Sequence, residues 1–155
     1  MSPEIQTFLD DSSASYLVHR HRPVISFDDA KKELSFDPHA MVKCLAFRLP
    51  DGRYGLVALR APDRADYKKI ADALHVRRAD LALASSEDVA ADLGMAPGGV
   101  APLPINGAIV LIDHAAADLT TIFCGTGRND ATLEIAAAEL IRISGAALAD
   151  LSKTA

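Results

Sequence analysis

Residues 41–60, MVKCLAFRLPDGRYGLVALR, hold two apolar runs separated by Pro50-Asp51-Gly52-Arg53. Asp-Gly between apolar runs is a strong hairpin signal, because the glycine supplies the positive φ that a tight turn needs. The pattern predicts paired strands over 41–49 and 54–60. By the two-residue period of a strand, Met41, Lys43, Leu45, Phe47 and Leu49 share one face. Val42, Cys44, Ala46 and Arg48 share the other. Lys43 therefore stands on the more apolar face, where a charge is costly unless it is paired or lines a cavity. Snorkelling to the sheet edge is the competing reading, and pattern alone weighs the two equally.

Outward from this hairpin, helical and strand signals are mixed. Pro3 in a first turn predicts a helix over 2–10, and 16–21 reads as a short strand. Ser26-Phe27-Asp28-Asp29 has the form of a capping box opening a helix to about 34. A helix is expected over 65–74, a strand over 81–84, and a helix from Ser85 that Gly94 stops. Strands over 108–112, 120–124 and 131–135 follow, with a glycine-rich turn over 125–130. A helix over 136–144 ends at Gly145, and 147–151 reads as a last strand. Mixed elements with an early hairpin imply a mixed sheet rather than a regular doubly wound one.

The 155 residues suit a single domain over 1–155. Half are hydrophobic and tryptophan is absent, so the core must be aliphatic. The net charge of −5 argues against extended, non-specific binding to nucleic acid such as DNA, which needs Lys and Arg to neutralise phosphates. A local basic patch from Arg20, Arg22, Arg48, Arg53, Arg60, Arg64, Lys68 or Lys69 remains compatible with gripping one end of an RNA, although most of these read as ordinary solvated charges. Cys44 and Cys124 form no C-x-x-C motif. With no leader-like start and no run long and apolar enough to span a membrane, the expectation is a cytoplasmic protein with free thiols.

Several stretches could carry chemistry. A lysine in an apolar pocket can donate to carbonyl, phosphate or ribose oxygens. Gly94-Met-Ala-Pro-Gly-Gly-Val-Ala-Pro-Leu-Pro104 can bring backbone N–H groups close to a ligand, or simply punctuate a helix and a strand. Gly125-Thr-Gly-Arg-Asn-Asp130 lacks the Gly-Lys-Ser/Thr of a P-loop, fails G-x-G-x-x-G, and reads as a turn. His19 and His21 share a strand face, yet no third ligand stands at a metal-binding spacing. No G-x-S-x-G elbow is present. The two cysteines read as buried structural thiols, and Asp113-His114 as turn chemistry.

Taken in order, these stretches resemble the YbaK/prolyl-tRNA-synthetase-associated editing family. Residues His21 to Ala30 are similar to its H-x-P-V-x-T-x-x-E-A segment. Val42-Lys43-Cys44-Leu45-Ala46-Phe47 followed by Asp51-Gly52 resembles its V-K-T-L-V-F…D-G hairpin, which bears the family's functional lysine. Asp66 to Ala71 resembles its L-D-L-K-K-L-A helix, and Ser85 to Gly94 its S-x-E-E-V…L-T-G segment. Gly98-Gly99-Val100-Ala101-Pro102 matches its G-x-x-x-P loop. Cys124 to Asn129 resembles its late glycine-rich turn. The likeness runs from about His21 to Leu151.

The resemblance implies an α+β fold, a mixed β-sheet curled into a partial barrel with surrounding helices. It implies a hydrolase that deacylates mischarged aminoacyl-tRNA in trans, with Ala- or Cys-tRNA(Pro) as the expected substrate. The partners implied are the acceptor end of aminoacyl-tRNA and prolyl-tRNA synthetase, with no metal or cofactor. Lys43 and Gly98 take the catalytic positions. His21, Gly99, Val100, Pro102, Cys124, Gly125, Thr126, Gly127 and Thr132 take the substrate-binding ones. Water or a ribose hydroxyl would attack the ester, and Lys43→Ala or Gly98→Ala would remove hydrolysis without unfolding the chain. Two positions depart from some relatives, with Cys124 in place of a serine and Thr132 in place of an aspartate. The alternatives are a non-catalytic module for tRNA ends or a synthetase, and a small-molecule esterase.

Overall fold

The computed structural model describes residues 1–34, 37 and 40–153. The hairpin forms as expected: β2 (Val42–Arg48) and β3 (Tyr54–Arg60) pair antiparallel, from Val42 opposite Arg60 to Arg48 opposite Tyr54. β3 is central and buried along most of its length, bonding on its other edge to the parallel strand β5 (Ile109–Asp113). With β4 (Ala82–Leu83) outside β2 and β8 (Ala147–Ala149) outside β5, the order is β4-β2-β3-β5-β8. This sheet is mixed, antiparallel on the β2 side and parallel on the β8 side.

A second, antiparallel sheet has the order β1-β7-β6, from Leu17–Arg20, Ala131–Ala136 and Thr121–Gly125. A parallel bridge between Met41 and Phe123 joins it to the start of β2. The expected mixed α+β fold is present, with its strands divided between two sheets that meet at this bridge.

Among the described residues six α-helices pack around the sheets: α1 (Pro3–Asp11), α2 (Phe27–Glu33), α3 (Tyr67–Ala73), α4 (Ser86–Leu93), α5 (His114–Ala117) and α6 (Ala137–Ser144). Their starts follow from capping. Ser26 and Asp29 form the reciprocal box that opens α2, while Asp66 and Ser85 accept first-turn N–H bonds in α3 and α4.

Alternation along β2 and β3 feeds two cores. Val42, Ala46, Leu56 and Ala58 join Ile5, Leu9, Ile122 and Leu140 in one. Phe47, Leu49, Val57 and Leu59 join Ile70, Leu111 and Leu151 under α3 in the other. The five-stranded sheet is therefore covered on both faces, which is why its central strand reads as continuously apolar.

Asp113-His114 turns out to open α5. Asp113 is 2% exposed and accepts from Ala115 N at 3.1 Å and from Leu151 N at 2.7 Å, so one carboxylate caps a helix and latches the C-terminal segment. Asp113→Ala leaves both donors without that acceptor. An expected loss of about 2 kcal/mol should appear as a lower urea midpoint, and an unchanged midpoint would rule the latch out.

Candidate functional site

The two sheets part beside the Met41–Phe123 bridge around a cavity of about 230 Å³. One wall is Met41 with the first residues of β2, Val42, Lys43 and Cys44. The opposite wall is Cys124 and Gly125 of β6 with Ala131 and Thr132 of β7. His21, Val24, Ile25 and Ser26 close it from the segment after β1, and Gly98 and Val100 from the loop before β5. Ala30 and Ala61 complete the lining.

The two glycine-rich stretches, read separately in the sequence, interlock. Gly127 N donates to Gly99 O at 2.7 Å, and Ala96 N donates to Gly127 O at 2.9 Å. Backbone meets backbone so closely that a Cβ on Gly99 would lie 2.3 Å from Arg128 O. One on Gly125 would lie 2.4 Å from both Gly99 O and Val100 O. Val24 N to Asn129 O (2.7 Å) and His21 N to Asp130 O (3.0 Å) tie the β1–α2 segment to the same turn. Gly98 has φ +79°, and a Cβ there would meet Val24 O at 2.3 Å. Gly98→Ala therefore strains the loop as well as touching the cavity, so it is not the clean catalytic probe that the sequence suggests.

Lys43 stands at the cavity rather than at an open sheet edge. It lines the cavity, and its Nζ donates to the backbone carbonyl of Asp63 in the loop after β3. Burial lowers its pKa from the ordinary 10.5; the Asp63 charge opposes this and Arg64 adds to it. The Asp63 carboxylate is itself engaged by Arg60 Nε at 3.2 Å. An ammonium has three N–H donors. One is spent on Asp63 O, and among the described residues the others have no hydrogen-bond acceptor.

On the far wall, His21 Nε2 lies 2.7 Å from Thr132 Oγ1, and His21 Nδ1 lies 2.7 Å from Arg22 O. Next along the same face, His19 Nε2 is 2.8 Å from Glu134 Oε1. Among the described residues no group of three His, Cys, Asp or Glu is arranged to hold a metal. Both thiols face the cavity but are protonated at neutral pH. Burial pushes Cys124 up to about 12 and, with the neighbouring Cys124, raises Cys44 further. A thiolate nucleophile is disfavoured accordingly.

Residues 21–143 match the family model of the aminoacyl-tRNA editing domain. The chain belongs to that family. Among solved structures, the editing domain is similar to a hypothetical protein at TM-score 0.83 and 20% identity, over 97% of this chain and 99% of that one. It is equally similar, at TM-score 0.83 and 22% identity over 99% of each chain, to a protein provisionally named a trans-editing enzyme for prolyl-tRNA synthetase. A protein from Marinobacter aquaeolei VT8, provisionally assigned to signal transduction, matches at TM-score 0.71 and 19% identity. There the likeness covers 99% of this chain but 31% of that one. At these identities the structural likeness is one of fold.

Of the site residues named from sequence, seven line the editing domain's cavity: His21, Lys43, Gly98, Val100, Cys124, Gly125 and Thr132. Gly99, Pro102, Thr126 and Gly127 are buried outside that lining. Thr126 Oγ1 is occupied by Ala131 O at 3.0 Å, and Gly127 packs on Ser2, so these two brace the turn. Sequence reasoning missed nine of the lining residues, among them Val24, Ile25, Cys44 and Ala131. Ile25 offers one signal, as an apolar residue inside the quoted His21–Ala30 segment, and the fold leaves it 64% exposed. Cys44 offers none, since a cavity-facing thiol and a core thiol look alike in sequence. No helix among the described residues is long and apolar enough to cross a membrane.

Proposed function

We propose that this editing domain is an aminoacyl-tRNA deacylase acting in trans, with residues 1–155 as one catalytic unit. Its substrate in this reading is a small amino acid, alanine or cysteine, on tRNA(Pro), and its partner is prolyl-tRNA synthetase. The observation that carries the reading is the cavity of about 230 Å³ lined by Lys43, Gly98 and Val100 together with small apolar residues. Family membership supports it independently.

The arrangement orients an ester rather than attacking it. The spare donors of Lys43 hold phosphate, ribose or carbonyl oxygen at the entrance. Gly99 N is spent on Ala96 O at 3.0 Å, whereas the N–H groups of Gly98 and Val100 have no acceptor among the described residues. They are the donors for negative charge developing on the ester oxygen. Water, or a ribose hydroxyl of the substrate, adds to the carbonyl carbon. The acyl C–O bond then breaks, and a proton goes to the departing ribose oxygen. Proximity and preorganised donors supply the acceleration.

The test is a panel of tRNAs charged with matched and mismatched amino acids. Release of alanine or cysteine from tRNA(Pro), with correctly charged tRNA spared, is expected. No deacylation across the panel would refute the enzymatic reading, and hydrolysis of simple esters without regard to RNA would favour an esterase.

Pocket size is set at one partition. A second cavity of about 150 Å³, flanked by Leu83, Ala84, Val89 and Pro97, shares Cys44 and Val100 with the first. Val100→Ala thins that partition. It is expected to raise kcat/KM for valine relative to alanine by about tenfold or more, the worth of a methylene or two in an apolar pocket. An unchanged ratio would place the size limit elsewhere.

A further inference from the structure

The far wall of the cavity has a hydrogen-bond polarity that follows from the distances for a neutral His21 ring. Arg22 O is a carbonyl and can only accept, so the His21 nitrogen 2.7 Å away, Nδ1, carries the ring proton. In neutral imidazole the other nitrogen is then an acceptor. Nε2 lies 2.7 Å from Thr132 Oγ1, so the threonine hydroxyl must donate to it. A hydroxyl has one proton and two lone pairs. With its proton committed to His21, Thr132 can present only lone pairs to anything else in the cavity.

The charges around the cavity are unequal from side to side. Lys43 lies on β2 of one sheet and Thr132 on β7 of the other, with β6 between them. Arg64 acts electrostatically on the Lys43 side. No carboxylate lines the cavity among the described residues. The nearest along the Thr132 face is Glu134, two residues on in β7, hydrogen-bonded to His19. Asp63, engaged by Arg60, offsets only part of the positive charge on the Lys43 side, so a cationic donor meets a net positive wall there and a neutral acceptor at the other.

We infer that Thr132 Oγ1 is the acceptor for the α-ammonium of the aminoacyl ester, held in its accepting state by the tautomer of His21. The inference rests on the editing reading and deepens it. Thr132 is a binding residue, and His21 is a positioning residue that acts through it. The site thereby distinguishes an aminoacyl ester from an ester of the same shape that lacks the amino group. A polar residue without formal charge does this where a carboxylate would otherwise be expected.

The test uses the full chain and two non-hydrolysable probes, 3′-alanylamido- and 3′-propionylamido-3′-deoxyadenosine, which differ only in the α-amino group. Titrations followed by NMR should give tighter binding of the alanyl probe by roughly tenfold to a hundredfold, the range for a hydrogen bond to a charged group. Thr132→Val should bring that ratio near one, and Thr132→Ser should restore it. The ¹⁵N shifts of His21 in the free protein should report the proton on Nδ1. A ratio near one in the wild-type protein, a ratio that survives Thr132→Val, failure of both probes to bind, or a proton on Nε2 would each overturn the inference. Deacylation is scored separately: a protein that prefers the alanyl probe but hydrolyses no aminoacyl-tRNA keeps the ammonium site and loses the catalytic reading.

Discussion

Lys43→Met is expected to lower deacylation of mischarged tRNA by about a hundredfold or more, the usual loss when a preorganised donor is removed from a site of this kind. The same substitution should leave the fold intact or firmer. The Lys43 amine is held below its ordinary 10.5 chiefly by burial. Since the folded pKa is the lower one, the unfolded chain binds more protons in the window beneath 10.5. The burial penalty is thus fully present at neutral pH and fades as pH rises through that window. Methionine keeps the stem and drops the charge, so its Tm at pH 7 should equal or exceed that of the wild type, and any gain should shrink toward pH 10. Wild-type hydrolysis rates in Lys43→Met would remove the lysine from the mechanism. A collapsed Tm would make it structural instead.

The second large effect is on stability. Gly125→Ala and Gly99→Ala each place a methyl group against backbone carbonyl oxygens 2.3–2.4 Å away. No side-chain rotation relieves that overlap. An expected loss of about 3 kcal/mol or more corresponds to a fall in Tm of roughly 6–12 °C for a chain of this size. Gly145→Ala is the control, because nothing lies within 4 Å of its Cβ position and only its φ of +62° is strained. Its cost should stay near 1 kcal/mol. Equal losses at the three positions would mean that the close approach of loop and turn carries no weight.

How much of this was legible in the sequence varies by element. The β2–β3 hairpin was, because Asp51-Gly52 and the period of two speak for themselves. The caps at Ser26 and Ser85 were, because capping is local chemistry. The split into two sheets was not. Where the two sheets meet is set by a long-range bridge, Met41 to Phe123, which leaves no periodic trace. Helix α5 was hidden because four residues are too few to show a helical pattern.

In the site, Lys43 stood out as a charge on an apolar face. The glycine loop and the glycine turn each looked weak because the reason for each lies in the other, about thirty residues away. Cys44 and Ala131 entered the lining through tertiary placement alone.

That mutual dependence of Gly98–Val100 and Gly125–Asp130 also constrains how the protein can change. Two backbones locked together by Gly127 N–H to Gly99 O and Ala96 N–H to Gly127 O leave no hinge between them. A residue inserted in either segment displaces the other. Variation in what this cavity accepts must therefore come from side chains such as Val100, Cys44 and Thr132 while loop lengths stay put. A library aimed at new acyl groups should randomise those three positions and leave the glycines as its frame.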